Sequence, residues 1–206
     1  PYAEGEIIDN TTIGYLKISA FSEKLADQVE KEVTKLENNN INGLIIDLRN
    51  NGGGIVQEAT TIADYFLDKG QRIITTKDKE GKEEITLSKQ DKITDIPVVV
   101  LVNGYTASSA EILTSALRDN NRAKVVGVKT YGKGVIQTLY SLSDGSGLKI
   151  TTEEYYTPNH NKINKEGITP DVEVDLTKNA EGKYETEFDK DAQVKKAIET
   201  IKTKIK

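Results

Sequence analysis

The sequence predicts an α/β fold, and three observations support this prediction. Apolar runs of strand length alternate along the chain with amphipathic stretches of helix length. Two of the runs, 43–48 and 97–102, are almost continuously apolar, which is typical of strands buried on both faces. Extra antiparallel pairs are indicated around two turns, so the prediction is a mixed α/β layer fold. A chain of 206 residues with 36% hydrophobic content can bury a sizeable core, and we expect a single domain spanning 1–206.

The first half of the chain alternates strand and helix patterns. The segment 22–39 predicts a helix because apolar residues recur every three or four positions, whereas the run at 43–48 is short and apolar throughout. Gly81 supplies the turn of a hairpin. The predicted elements are, in order, a strand at 13–18, a helix at 22–39, a strand at 43–48, a helix from Ile55 to about Leu67, and a hairpin of 71–78 with 83–88.

The second half continues the same alternation and adds a second antiparallel pair. Asp144 and Gly145 mark the turn of this pair, and a long polar loop follows it. The predicted elements are a strand at 97–102, a helix from Ala107 to about Asp119, a strand at 124–128, strands at 135–142 and 148–156, a loop at 157–170, a short strand at 171–176 and a last helix near 189–205.

Composition excludes several classes of function. The net charge of −5, with basic and acidic residues interleaved, argues against a nucleic-acid partner. No apolar run approaches the ~20 residues of a membrane span, and "PYAEGEIIDN" carries no signal segment. The absence of cysteine excludes disulfides, thiolate metal sites and a cysteine nucleophile, and the single histidine, His160, excludes a histidine-rich zinc site. We therefore expect no metal and no cofactor, and acid/base chemistry must come from His160, a carboxylate or a lysine kept neutral.

Two predicted units share one plan, in which an apolar strand is followed by a loop and a helix. One loop is "RNNGGG" at 49–54, whose glycines could bring backbone N–H groups close to a developing anion or simply form a tight turn. The other is "VNGYTASSAEI", with Thr106, Ser108 and Ser109 at a helix start. Hydroxyl residues commonly cap helices, so a nucleophile and a cap are both open at this point.

A third stretch, "GVKTYGKGVIQ", resembles a phosphate-binding loop only in part. Gly134 stands where Ser or Thr should hold magnesium, and a strand pattern follows where a helix is needed. We therefore set nucleotide binding aside. Alternate residues of a strand share a face, so Lys133 and Gln137 could reach one site, where a glutamine oxygen can orient a neutral lysine. A solvated surface lysine is the competing interpretation.

In combination and order, these motifs resemble the protease core of the carboxyl-terminal processing peptidases, also called tail-specific proteases. The resemblance runs from about Ile13 to Ile205 and includes "DLRNNGGG", "VNGYTASSAEI", "VVGVKTYGKGVIQ", "LSDGSGLKITTEEYYTP" and "GITPDVEV". It implies Ser108 as nucleophile, Lys133 as general base and Gln137 as the residue that assists it. It also implies a spiral of β-β-α units like that of Clp protease and crotonase.

The resemblance carries further expectations. The N–H of Ser109, with that of Gly53 or alternatively Gly54, would form the oxyanion hole. Substrates would be proteins or peptides with accessible C-termini, and the location would be extracytoplasmic in a bacterium. Members of the family usually carry a PDZ domain that recognises substrate tails, and we expect no PDZ domain within residues 1–206.

The sequence departs from the family pattern in two places. The usual Ala-Ser after the nucleophile reads Ser109-Ala110, which makes Ser109 a rival hydroxyl. After "YYTP", His160 and Asn161 stand near the position of the family's glycine and arginine; we assign His160 no catalytic role.

Two other functions remain open from the sequence. A catalytically silent module could bind peptides along a sheet edge beside the cleft. An acyl-CoA enzyme could use the same scaffold, although this leaves Lys133 and Gln137 without a task. The oligomeric state and the physiological substrate are not indicated by the sequence.

Overall fold

A computed structural model describes residues 1–178, 181–182, 185 and 187–205, and it contains ten strands and four helices. The elements are β1 (Ala3–Ile7), β2 (Ile13–Ile18), α1 (Leu25–Asn38), β3 (Gly43–Asp47), α2 (Val56–Phe66), β4 (Arg72–Asp78), β5 (Glu83–Leu87), β6 (Val98–Val102), α3 (Ser109–Asp119), β7 (Ala123–Gly127), β8 (Val135–Ser141), β9 (Gly147–Tyr156), β10 (Val172–Glu173) and α4 (Ala192–Lys202).

A six-stranded sheet forms the centre of the molecule, in the order β1-β2-β3-β6-β7-β10. Strands β2, β3, β6, β7 and β10 are parallel, and β1 joins the edge antiparallel to β2. Consecutive parallel strands need a crossover connection, and α1, α2 and α3 lie in the three crossovers from β2 to β7. The carboxyl ends of β3 and β6 therefore open into the loops 48–55 and 103–108 at one edge of the sheet.

The two faces of this sheet are covered unequally. In β3, Leu44 and Ile46 pack in the large core with helices α1 to α3, whereas Ile45 points to the other face. That second face is covered by α4, whose Val194 and Ile201 belong to the smaller core. Burial on both faces explains why β3 and β6 are continuously apolar.

A four-stranded antiparallel sheet, β5-β4-β9-β8, lies beside the first. Ile74 of β4 and Tyr155 of β9 are buried in the large core, so the two sheets share it. The outer part of the β8–β9 hairpin reaches beyond this core, and Tyr140 and Leu148 are close to half exposed there.

The mixed α/β prediction is confirmed, with differences at particular elements. The sequence does not predict β1, because "AEGEI" carries little apolar signal and three of its five residues are exposed. Helix α1 begins at Leu25 rather than at Ser22 because Lys24 takes a left-handed conformation and Glu58 of α2 accepts hydrogen bonds from the Lys24 and Ala26 N–H groups. The cap thus comes from another helix, which no local pattern reveals.

The last predicted elements are shorter in the structure. The strand expected at 171–176 is reduced to β10, which pairs only with the end of β7. The last helix is Ala192–Lys202, and its N-cap Asp191 accepts hydrogen bonds from the N–H groups of Gln193 and Val194. Among the described residues, no helix is long and apolar enough to span a membrane.

Candidate active site

Ser108 lies at the sharp turn between β6 and α3. It is the N-cap residue of α3 and has φ 56° and ψ −120°, a conformation that a residue with a Cβ rarely adopts. Ser108 is partly exposed, and its side chain stands at the positive end of the α3 dipole. The helix-cap position predicted from the sequence is therefore real, and it coincides with a strained, accessible hydroxyl of the kind found at nucleophile turns.

The two other hydroxyls of the turn are buried and already have partners. Thr106 Oγ1 donates to the carbonyl of Leu48 at 2.8 Å and accepts from the Asn103 N–H at 3.0 Å. Ser109 Oγ donates to the Gly54 carbonyl at 2.8 Å, and Ser109 is fully buried. These contacts give Thr106 and Ser109 structural tasks and favour Ser108 among the three as the reactive hydroxyl.

A single buried carboxylate, that of Glu111, joins the Ser108 turn to the lysine segment. Glu111 Oε2 accepts from the N–H groups of Ser108 and Lys133, each at 2.9 Å. Oε1 accepts from the Gly132 N–H at 2.8 Å and from Thr130 Oγ1 at 2.5 Å. Glu111 is 0% exposed, so these four donors replace the water that an ionised carboxylate requires.

The family resemblance assigns no role to Glu111, although its spacing from Ser108 predicts a contact between them. Ser108 and Glu111 have the Ser-x-x-Glu spacing of a capping box, in which the glutamate returns to the backbone N–H of the cap residue. The structure contains this bond. The further bonds to Gly132, Lys133 and Thr130 join segments distant in sequence, and no local pattern predicts them.

The glycines flanking Lys133 allow a neighbouring loop to approach closely. A Cβ at Gly134 would lie 2.3 Å from the Asn164 backbone nitrogen, and one at Gly132 would lie 2.9 Å from the nitrogen of Gly167. The Lys165 N–H donates to the Gly132 carbonyl at 2.8 Å. The backbone on both sides of Lys133 is thus fixed by Glu111 and by the loop 163–167.

The Glu111 carboxylate joins the backbones of the Ser108 and Lys133 segments, but it does not join their side chains. Lys133 and Gln137 are both exposed, and no hydrogen bond among the described residues joins either side chain to Ser108. Gln137 lies on β8 as predicted, whereas Lys133 precedes the strand, and the pairing of β8 with β9 shifts register between Ile136 and Gln137. The common face expected for Lys133 and Gln137 is therefore not built by a regular strand.

The loop 49–54 lies directly against Ser108. A Cβ at Gly53 would be 2.7 Å from Ser108 Cβ and 2.9 Å from the Ser109 nitrogen, and the φ of Gly53 is +96°. The Gly53 N–H, however, donates to Asn51 Oδ1 at 2.9 Å. Among the described hydrogen bonds none uses the N–H of Gly54 or Ser109. Of the two glycines expected at the oxyanion hole, Gly54 is therefore the one whose N–H is not engaged in this conformation.

Two other features lie outside this cluster. His160 is exposed and contacts Arg72, on the side of the antiparallel sheet.

A cavity of about 610 Å³ opens above the carboxyl ends of the parallel strands. Among the described residues its lining includes Lys17, Arg49 and Tyr105 but neither Ser108 nor Lys133.

Comparison with known proteins identifies relatives of this arrangement. The family model described as "Peptidase family S41" matches residues 12–174. The carboxyl-terminal-processing protease of Synechocystis sp. is 44% identical over 164 residues, which cover 80% of this chain and 38% of that protein. The carboxy-terminal processing protease CtpA of Bacillus subtilis is 37% identical over 171 residues, covering 83% of this chain and 36% of that protein.

A solved structure shows the same architecture. The photosystem II D1 C-terminal processing protease superposes with a TM-score of 0.75 at 37% identity, covering 82% of this chain and 45% of that one. The expectation of a fold shared with these proteases is confirmed. The chain spans about two fifths of the length of these three relatives.

Replacing Glu111 should disable the site more than it destabilises the fold. Glu111→Gln keeps the shape but puts an amide NH₂ among N–H donors, so the turns of Ser108 and Lys133 lose their common anchor. We expect hydrolysis of an unfolded protein to fall by roughly 10²-fold or more, on the scale of a misplaced catalytic group. Initial rates and melting temperature, measured on the same preparation, test this.

Glu58→Gln is the matched control, since Glu58 also accepts two backbone N–H bonds at a helix start. It should lower the melting temperature without lowering kcat. Equal losses of kcat in the two variants would contradict a specific role for Glu111.

Gly53→Ala should impair the site by direct contact with the nucleophile. The new Cβ would collide with Ser108 and the Ser109 nitrogen, and the left-handed backbone costs about 1–2 kcal/mol of stability. We expect kcat to fall by about 10²-fold, comparable with loss of one oxyanion donor. Gly52→Ala, whose Cβ would meet nothing within 4 Å, should retain activity. If melting temperature and activity fell in proportion in Gly53→Ala, the loop would be a structural turn only.

Proposed function

The chain belongs to peptidase family S41, and from this premise we propose that it is a serine endopeptidase that cleaves proteins in their C-terminal regions. Ser108 is the nucleophile, Lys133 the general base and Gln137 the residue that orients the lysine. The membership favours hydrolysis of a peptide bond over acyl-CoA chemistry. The observation that supports the proposal most strongly is the shared Glu111 carboxylate, which anchors the backbones of Ser108 and Lys133 to one point.

In the proposed reaction, Ser108 Oγ attacks the scissile carbonyl while the neutral Lys133 amine accepts its proton. The oxyanion that forms is bound by the Ser109 N–H and by a glycine N–H of the loop 49–54, at the start of α3. The lysine then returns the proton to the leaving amine, and water hydrolyses the acyl-enzyme by the reverse sequence of proton transfers. The free N–H groups of Ser109 and Gly54 support this assignment.

The exposure of Lys133 places one condition on this mechanism. Lys133 is exposed, whereas a general base must be neutral to accept a proton and exclusion of water favours the neutral form of an amine. A polypeptide laid across Ser108 would exclude water from the lysine and allow its flexible side chain to turn towards the hydroxyl. We therefore propose that bound substrate completes the dyad.

The same exposure favours one alternative. If Lys133 never reaches Ser108, the chain is a peptide-binding module. Among the described strands β8 is the edge of its sheet and pairs only with β9, so it offers an edge for an added strand. Peptide binding without hydrolysis would support this function.

We also propose that the protein is located outside the cytoplasm, which fractionation of the native cells would test.

Ser108→Ala and Lys133→Ala should each remove nearly all hydrolysis of an unfolded protein and leave the fold intact. Nucleophile and base act as a unit, so loss of either should cost orders of magnitude in kcat. Product formation is followed by mass spectrometry, and circular dichroism checks the fold. Residual cleavage by Ser108→Ala that disappears on adding Ser109→Ala would move the nucleophile to Ser109.

The rate should increase with pH because the proposed base acts as a neutral amine. Raising the pH removes the proton that blocks the amine, so kcat rises towards alkaline pH and falls towards acid. His160→Ala should give the same pH profile as the wild type, since His160 is engaged with Arg72. A rise governed by a group that titrates like free histidine, and lost in His160→Ala, would exclude the Ser-Lys mechanism.

A further inference from the structure

Arg49, the first residue of the loop 49–54, is held by a buried network of charges. Its Nη2 lies 2.6 Å from Asp47 Oδ2 at the end of β3, and its Nε is 3.0 Å from both oxygens of Asp47. Its Nη1 lies 2.6 Å from Asp191 Oδ2 and 3.0 Å from Gln193 Oε1. Arg49 is 9% exposed and Asp191 2%, so each depends on these partners in place of water.

The charge on Arg49 is secured by its neighbours. Burial by itself would lower the pKa of the guanidinium, but hydrogen bonds and charge from Asp47, and then from Asp191, outweigh burial and raise that pKa above its ordinary value. On the other side of Asp47, the Tyr15 hydroxyl donates to Oδ2. Burial and the charge of Asp47 raise the pKa of Tyr15 above its ordinary value, so the phenol stays a donor.

Asp191 divides its two oxygens between two tasks. Oδ1 caps α4 by accepting from the N–H groups of Gln193 and Val194, at 2.9 and 3.1 Å. Oδ2 faces Arg49. The cap belongs to the helix alone, whereas the ion pair connects the helix to the loop 49–54.

The two residues after Arg49 connect it by hydrogen bonds to the turn that carries Ser108. The Asn50 N–H and Asn103 Oδ1 are 3.0 Å apart, and Asn103 Nδ2 returns a bond to Asn50 Oδ1 at 2.9 Å. The Asn51 carbonyl accepts from the Ala107 N–H at 2.9 Å, next to Ser108, while Asn51 Oδ1 holds the Gly53 N–H. Two residues and their hydrogen bonds thus connect Arg49 to the glycines and to the nucleophile turn, where a misplacement of about 1 Å can cost about 10²-fold in rate.

We propose that Asp191 and Arg49 are positioning residues, and that helix α4 holds the loop 49–54 against Ser108 through their ion pair. This inference rests on the proposed function. Helix α4 lies beyond residue 174, where the family match ends, and Asp191 and Gln193 at its start join it to the loop 49–54 through Arg49. Its docking thus sets the geometry of the oxyanion-binding loop from the opposite face of the central sheet.

Asp191→Asn separates the two tasks of the aspartate. Asparagine is as good an N-cap as aspartate, so α4 keeps its cap, while Arg49 loses an anionic partner. We expect kcat for an unfolded protein substrate to fall by about tenfold or more with little change in KM. We also expect faster amide hydrogen exchange in residues 49–54 with unchanged protection of α4. Glu199→Gln, an exposed acid-to-amide change on the same helix, should alter neither quantity.

A double-mutant cycle tests whether Asp191 acts through Arg49. In an Arg49→Gln background, Asp191→Asn should add little further loss of kcat, since the partner is already absent. Additive losses would overturn the inference. If Arg49→Gln does not fold, hydrogen exchange of the single Asp191→Asn variant decides the question.

The outcomes separate this inference from the proposed function. If the wild type cleaves, Ser108→Ala does not, and Asp191→Asn behaves as wild type in both kcat and exchange, the positioning role is refuted and the peptidase stands. It is refuted too if kcat falls without faster loop exchange, or if α4 and the loop lose protection together. If the wild type does not cleave, the peptidase proposal fails, and loop exchange alone supports or refutes the tether.

Discussion

The geometry of the candidate site depends on one buried carboxylate. Glu111 receives four hydrogen bonds, and these come from the nucleophile turn and from the segment that carries Lys133. An ionised group without access to water must be surrounded by donors, so its neighbours are fixed as firmly as the carboxylate itself. The strained backbone of Ser108 persists within this network because Glu111 holds its N–H from one side and the loop 49–54 packs on the other.

Much of the fold was predictable because its central strands carry a strong signal. β3 and β6 are apolar throughout and are followed by loops and helices, so both their type and their order could be inferred. The features that the sequence did not predict depend on residues in other parts of the chain. The start of α1 is set by Glu58 from another helix, and β1 gains its place by pairing with β2 rather than from its own residues. The unequal covering of the two sheet faces likewise follows from tertiary packing.

The site was predictable as a set of segments but not as a set of contacts. Ser108, Lys133 and Gln137 follow from the resemblance to the family motifs. The structure adds that other backbone segments pack closely against Gly53 and Gly134. The role of Glu111 and the engagement of the Gly53 N–H by Asn51 depend on hydrogen bonds between specific atoms. Sequence spacing gives no access to such bonds, nor to the exposure of a side chain such as Lys133.

One face of the central sheet is covered by α1 to α3 and the other by α4, which comes much later in the chain, and this order has a consequence for biosynthesis. During synthesis from the N-terminus, the strands β2 to β7 and the helices α1 to α3 emerge before α4. Ile45, Val99 and Leu101 therefore stay uncovered until α4 packs against them. Until that helix leaves the ribosome, a nascent chain exposes one apolar face of its sheet and leaves Arg49 without Asp191. The growing chain is therefore prone to association until α4 has emerged, because this helix covers the smaller core and also supplies the partner of Arg49.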